Sequence, residues 1–443
     1  MDKLLYTFFD GKNKLSIKSG RGIYIFDSKG NKYTDLTSGQ TGHALLGWGN
    51  TKIINKIISQ LKRIGHIDYK YWKDDNRTLL ANLLLSNKKN KLDKVFFVGA
   101  SGAEACEAAI HMSYQTHYNN NKKNKILCLS RRQSYHGCTN LSIATGDRPN
   151  LDFYKKILNK NNRKINEHNY YRYKKDNETP EQYSLRSSHE LEKEILKLGP
   201  ENISCFVAET MSGGLIGDVP PTLNYWKNIR KICNKYNIHL ILDEVWCGTG
   251  TSGKMFCIDY DDITPDFIFL GKTLAVGYGS LSAVITSKKL LNSIKYKQGQ
   301  IQYSNTHQGH SLSVAAALAA QNIINTKEFL NDVYEKGKFL RSIIDSELKN
   351  HEFYFNVRGR GLRNSIEYKC HNQNQFGLNL KKIMLDKHKI ILDAKWHRIC
   401  LSLALNIQKD QLSQNLEILI LEFKKLSSRW SKRFIKNVNY KSF

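Results

Sequence analysis

Two charged residues follow apolar runs and sit where chemistry is easy to read. Asp243 closes IHLIL (238–242), and Lys272 follows DFIFL (266–270) and Gly271. Runs of this length and composition read as buried strands. In a parallel sheet, ligands bind beyond the carboxyl ends of the strands, so both groups are expected on one edge. Gly99-Ala100-Ser101-Gly102-Ala103-Glu104 follows another such run, KVFFV (94–98), and opens a helix. Its small residues let backbone N–H groups approach an anion, and a helix N-terminus favours phosphate. An amine, a carboxylate and a phosphate cradle on one edge suit an aldehyde cofactor with a phosphate handle and a basic ring nitrogen. That cofactor is pyridoxal 5'-phosphate: the amine forms a Schiff base with the aldehyde, and the carboxylate keeps the ring nitrogen protonated. Alone, a lysine after a strand is a solvated end and an aspartate there a turn or cap. The set carries the inference.

The elements around these residues alternate between strand and helix. ILCLS (126–130), SCFVA (204–208) and LSAVIT (281–286) are further strand runs, and YWKNIRKICNKY (225–236) has helical periodicity. This alternation predicts an α/β core on a mostly parallel sheet. Residues 308–325 and 327–349 read as two long helices. Residues 51–64 read as another, with Ile53, Ile54, Ile57, Ile58 and Leu61 on one apolar face. The last hundred residues change to strand, helix, strand, helix, which predicts a separate smaller domain. Residues 155–190 show no period, and a surface excursion is expected there.

A chain of 443 residues, 40% hydrophobic and 24% charged, is too long for one small module and too apolar to be disordered. Lys and Arg number 68 against 40 Asp and Glu, a net charge of +28. Clustered cations would suit nucleic acid. Here they are spread along the chain, and the densest runs, 155–175 and 424–441, carry neither RNA-binding aromatics nor zinc-finger spacing. The excess reads as solvated surface, with no nucleic-acid partner. Nine cysteines without a C-x-x-C fit free thiols in a reducing compartment. The opening MDKLLYTFFDGKNK is too interrupted for a secretory signal, and nothing approaches the roughly 18 apolar residues of a membrane span. A cytoplasmic location and no membrane partner are expected. His136, His307 and His310 lack further ligands at metal spacing, so no metal is expected. Gly248, Gly250 and Gly253 satisfy a dinucleotide pattern, but a Pro-containing segment without helical period follows, and that reading fails.

In order along the chain, the motifs resemble those of the class III (ω-) aminotransferases, a family of fold type I pyridoxal-phosphate enzymes. The resembling segments are GRGIYIFDSKGNKYTDLTSG (20–39), FFVGASGAEACEAAI (96–110), SYHGCT (134–139), FVAETMSGGLIGDVPP (206–221), LILDEVWCGTGTSGKMF (240–256), PDFIFLGKTLAVGYGSLSAV (265–284) and NTHQGHSLSVAAALAA (305–320). The resemblance implies an α/β fold: a large domain with a mostly parallel sheet (71–325) and a small α+β domain from both termini (1–70 and 326–443).

It also implies roles. Lys272 would hold the cofactor as a Schiff base and carry the proton during catalysis, and Asp243 would pair with the pyridinium nitrogen. Val245 and Tyr135 would cover the two ring faces, with His136 beside Tyr135 in the same motif. Gly102 and Ala103, helped by Ser101, would bind the phosphate, and Thr306 would reach the phosphate of a neighbouring subunit, which implies a homodimer or a dimer of dimers. Glu209 would lie near the cofactor O3' and the substrate. Ala100, Cys106, Thr210 and Thr251 depart from common family residues, and ICLSLALNI (399–407) lacks the usual Pro-Pro pair. Lys395 and Arg398 are the candidates for binding the acceptor carboxylate. The implied reaction is a ping-pong transfer of an amino group from an amine or ω-amino acid to pyruvate or 2-oxoglutarate. An aminomutase or racemase on the same scaffold is the alternative.

Overall fold

A computed structural model describes residues 15–86, 91–149, 151–154 and 156–430. The opening stretch 1–14 and the basic tail from 431 lie outside them. Strands β1 (Ile17–Arg21), β2 (Tyr24–Asp27) and β3 (Lys32–Asp35) form an antiparallel meander. The central sheet follows: β4 (Lys94–Phe97), β5 (Leu127–Arg131), β6 (Asn162–Ile165), β7 (Ile203–Glu209), β8 (His239–Asp243), β9 (Phe267–Leu270) and β10 (Ala283–Thr286). Its order is β4-β10-β9-β8-β7-β5-β6, and only β10 runs antiparallel to its neighbours. The expected α/β core on a mostly parallel sheet is observed.

Burial on both faces explains why these strands read as continuous apolar runs. Phe206, Ala208, Leu240, Leu242 and Ile268 join one core cluster, while Cys205, Val207, Ile241, Phe267 and Phe269 join the other. The helix Gly102–Asn119 covers the second cluster through Ala105, Cys106, Ala108, Ala109 and Met112. The small side chains among them let the helix axis approach the sheet closely.

The C-terminal third adds β11 (Tyr354–Arg360), β12 (Arg363–Tyr368), β13 (Ile390–Ile391), β14 (Asp393–Lys395) and β15 (Arg398–Ser402). Strands β11-β12-β15-β14 form an antiparallel sheet, whereas β13 pairs in parallel with β3 at Thr34 and Asp35. The N-terminal meander and the C-terminal third are therefore hydrogen-bonded to each other through β3 and β13.

Two expectations need correction. Residues 155–190 are no surface excursion: Asn162–Ile165 is the edge strand of the central sheet, and Pro180–Leu198 is a helix closed by a Thr179–Gln182 capping box. The strand NRKI carries too little apolar signal to be read alone. In the helix Thr51–Arg63, Ile53 is buried, but Ile54, Ile58 and Leu61 are exposed. The expected apolar face is largely uncovered within one chain.

The hairpin turn that aims β12 at the central sheet is tightly wedged. Leu362 N–H donates to Thr251 O (3.0 Å), and Gly361 adopts φ +53°. A Cβ at Gly337, on the helix Lys327–Leu348, would run into the Gly361 carbonyl. Gly337→Ala should lower stability by about 1–3 kcal/mol, the usual cost of overpacking, seen as a reduced urea midpoint. An unchanged midpoint would show that the helix and turn separate freely.

Candidate active site

Register places the functional groups. Glu209 on β7 pairs with Asp243 on β8, which pairs with Phe269 on β9, and Lys272 lies three residues beyond Phe269. The three groups share the carboxyl edge of the sheet. Opposite them, the helix Gly102–Asn119 begins with Ser101 as its cap. Ser101 Oγ accepts from Glu104 N–H (3.3 Å), and Glu104 Oε2 accepts from the Ala100 and Ser101 N–H groups (2.9 Å each). Gly102 and Ala103 are then the first two helical residues, whose N–H groups have no intrahelical acceptor. Gly271 packs on Gly102, and a Cβ on Gly102 would lie 2.7 Å from Val245 Cγ2. Glycine there brings the helix start, the lysine loop and Val245 together.

Asp243 is buried. Its Oδ2 accepts from His136 Nδ1–H (2.7 Å) and its Oδ1 from Val245 N–H (2.9 Å). No lysine or arginine pairs with it among the described residues. His136 Nε2, also buried, has no partner. Lys272 Nζ lies 5.8 Å from the Tyr135 ring centre and 5.6 Å from that of Trp246. Burial pulls the Lys272 pKa below the usual range; Asp243 opposes this and Arg363 adds to it. That favours the neutral, nucleophilic amine. Glu209 is pushed up to about 7, chiefly by burial, with Asp243 adding and His136 opposing. Its Oε1 accepts from Gly213 N–H (3.2 Å), and Arg131 donates to its carbonyl.

These residues fit pyridoxal phosphate. A buried carboxylate that, among the described residues, pairs with no lysine or arginine suits a protonated ring nitrogen, and the N–H groups at the helix start suit the phosphate. Val245 and Tyr135 stand near the lysine as apolar and aromatic ring contacts.

The chain belongs to the class III aminotransferases. The family model "Aminotransferase class-III" matches residues 9–422. An uncharacterized aminotransferase of Schizosaccharomyces pombe is 31% identical over 364 residues, covering 82% of this chain and 79% of the relative. Gamma aminobutyrate transaminase 2 of Solanum lycopersicum is 32% identical, covering 80% and 78%. The omega transaminase of Pseudomonas jessenii, solved in complex with PMP, superposes with a TM-score of 0.88 at 26% identity, covering 94% of this chain and 93% of that one. The enzyme is a pyridoxal-phosphate-dependent aminotransferase of fold type I.

The remaining residues singled out in the sequence are more dispersed. Thr306 is exposed, and its carbonyl contacts His66 Nε2 (3.0 Å). Lys395 pairs with Asp393 (3.3 Å). Arg398 is buried, and its Nη1 donates to Leu215 O (3.2 Å). Among the described residues, no group of three or more His, Cys, Asp or Glu could hold a metal ion, and no helix is long and apolar enough to cross a membrane. The sequence reading missed Arg363 and Trp246. Trp246 follows Val245 directly, so its proximity was available; Arg363 comes from β12 and carried no local signal.

Glu209 gives this site a pH signature. Its folded pKa is raised, so its contribution to stability is full below the carboxylate's ordinary range and is lost as pH rises through about 7. Glu209→Gln, which stays neutral, should gain on wild type between pH 5 and pH 8 by up to roughly 3 kcal/mol, read from urea midpoints of the cofactor-free proteins. A difference independent of pH would show that Glu209 is not held protonated by its burial.

Proposed function

We propose that this aminotransferase moves an amino group from an amine or ω-amino acid to pyruvate or 2-oxoglutarate, in two half-reactions at one site. The single observation that carries the site assignment is the placement, on one sheet edge, of a lysine depressed by burial beside a buried carboxylate that pairs with no lysine or arginine among the described residues. The tomato relative is named for an ω-amino acid and the Pseudomonas jessenii structure for an omega transaminase. Those names support the donor class.

In this reading, bound pyridoxal phosphate supplies the electron sink that lets the C–H bond beside the donor nitrogen ionise. Lys272 anchors it and, once released, carries the proton at the reacting carbon. Asp243 holds the ring nitrogen, and His136 fixes the carboxylate's direction from behind. The Gly102 and Ala103 N–H groups hold the phosphate, with Ser101 keeping the helix start in place. Val245 and Tyr135 hold the ring between them. Glu209, near neutrality, sits beside Asp243 as a hydrogen-bonding group toward the cofactor oxygen and the substrate. Of the two candidate cations for an acceptor carboxylate, Arg398 is the one held against the glycine-rich loop.

The reading extends to assembly and location. Ile58, Leu61, Ile64, Tyr71 and Trp72 are exposed large apolar side chains, which suits packing against a second copy of this chain, and Thr306 is exposed and free to serve a neighbour's phosphate. The active unit is a homodimer, built from a large domain at 71–325 and a small one from 1–70 and 326–443. Nine unpaired cysteines, eight of them buried, suit the cytoplasm.

Borohydride treatment of the loaded enzyme should fix the cofactor to the peptide bearing Lys272, detected by mass, and to no peptide of Lys272→Ala. A donor alone should convert the cofactor stoichiometrically to its amine form, and a keto acid should restore the original spectrum. Lys272→Ala should slow that half-reaction by at least about a hundredfold. Racemised or rearranged donor, with the spectrum returning without any keto acid, would overturn the two-substrate reading.

A further inference from the structure

The indole of Trp246, beside Lys272, is held by several separate contacts. Its Nε1–H donates to Asp218 Oδ1 (2.7 Å), and Asp218 is itself fully buried, with Oδ2 accepting from Ser365 Oγ (2.7 Å). The Arg363 guanidinium lies 4.1 Å from the ring centre, and Arg363 Nε–H donates to the Trp246 carbonyl (3.1 Å). One arginine therefore holds both the ring and the backbone of the same residue. Arg363 is 1% exposed, makes no ion pair among the described residues, and its Nη1 has no hydrogen-bond partner. The indole ring is the π-face that accompanies this charge, a favourable substitute when the cation is desolvated.

Two glycines from separate loops leave the slot for the ring. A Cβ on Gly42 would lie 2.7 Å from Trp246 Cζ3, and a Cβ on Gly213 would lie 2.6 Å from Cδ1. The indole is thus fixed along both edges, at its nitrogen and by a stacked cation. It is only half-buried, and Lys272 Nζ is 5.6 Å from its centre.

We propose that Trp246 is the specificity-determining wall of the site, limiting the size of the group carried beside the reacting carbon, and that Arg363 and Asp218 are the positioning residues that keep the wall rigid. The argument rests on the proposed role of Lys272 at that carbon: a group attached there must occupy space near the amine, and Tyr135 and Trp246 both border that space. A rigid wall discriminates more sharply than a mobile one, because a larger substrate cannot displace it cheaply.

The test compares wild type, Trp246→Ala, Trp246→Phe and Arg363→Met as holoenzymes. Single-turnover conversion of the bound cofactor is followed with 2-aminopropane against 1-phenylethylamine, and with alanine against phenylalanine. Trp246→Ala should shift the large-to-small rate ratio by about tenfold or more toward the larger donor in at least one pair, with Trp246→Phe between it and wild type. Arg363→Met should shift the ratio the same way by a smaller factor. In cofactor-free protein, the Trp246 emission (wild type minus Trp246→Phe) should become more open to acrylamide quenching in Arg363→Met, a readout independent of turnover. Ratios unchanged within about twofold in a Trp246→Ala protein that still binds cofactor would overturn the wall while leaving the function standing. A wild type that fixes no cofactor on Lys272 would overturn the function, and the wall with it.

Discussion

The carboxylate of Asp243 stands buried at the end of a central strand and, among the described residues, has no lysine or arginine paired with it. Burying such a group costs several kcal/mol unless it is paired and hydrogen-bonded. The fold provides two donors, the His136 ring and the Val245 N–H, and both direct the carboxylate rather than neutralise it with a strong cation. Much else follows from that choice. His136 must be buried and stacked edge-on to Phe269, 6.3 Å away, so the carboxylate is fixed from the core side. Gly102 must lack a side chain so that the helix start can close over Val245. In the proposed reading, a bound cofactor's pyridinium would supply the countercharge that the protein leaves out.

A second constraint comes from three buried arginines of the C-terminal sheet. Arg358 donates to the carbonyls of Ile216 and Gly217 (2.7 Å each) and pairs with Glu367, which also pairs with Arg172 (3.1 Å). Arg398 donates to Leu215 O, and Arg363 holds Trp246. The Arg358 and Arg398 guanidiniums bolt the glycine-rich loop 213–218 to strands from a distant part of the sequence, while Arg363 ties β12 to Trp246 and Gly42. A buried arginine near a site therefore does not by itself mark a substrate anchor. Arg358 and Arg398 use donors on carbonyls that only the folded loop presents.

Legibility in the sequence follows the range of the interactions. Asp243 and Lys272 were readable because each sits just past an apolar run, and strand ends place side chains on a sheet edge without help from the rest of the chain. The helix start at Gly102 was readable for the same local reason. The helix Pro180–Leu198 had a readable start at Thr179, yet its weakly apolar face hid among polar residues. Arg363 and Asp218 could not be read, since nothing near either residue points to Trp246. The face of Thr51–Arg63 was correctly apolar, but Ile54, Ile58 and Leu61 on it stay exposed within one chain, which periodicity alone does not reveal.

Glu209 and Asp243 lie side by side on paired strands, and their surroundings separate them. Asp243 accepts a ring N–H and a backbone N–H, while the Glu209 carboxylate accepts one long bond from Gly213 N–H. Two carboxylates so close and so dry disfavour double ionisation, and Glu209, the less solvated by donors, is the one pushed up to about 7. Such a split separates roles within one site. A near-neutral Glu209 can donate as well as accept, which a second fixed anion could not. It also spares Lys272 another nearby negative charge, which would raise its pKa and keep the amine protonated. The depressed lysine and the elevated glutamate are thus two outcomes of the same dry edge of the sheet.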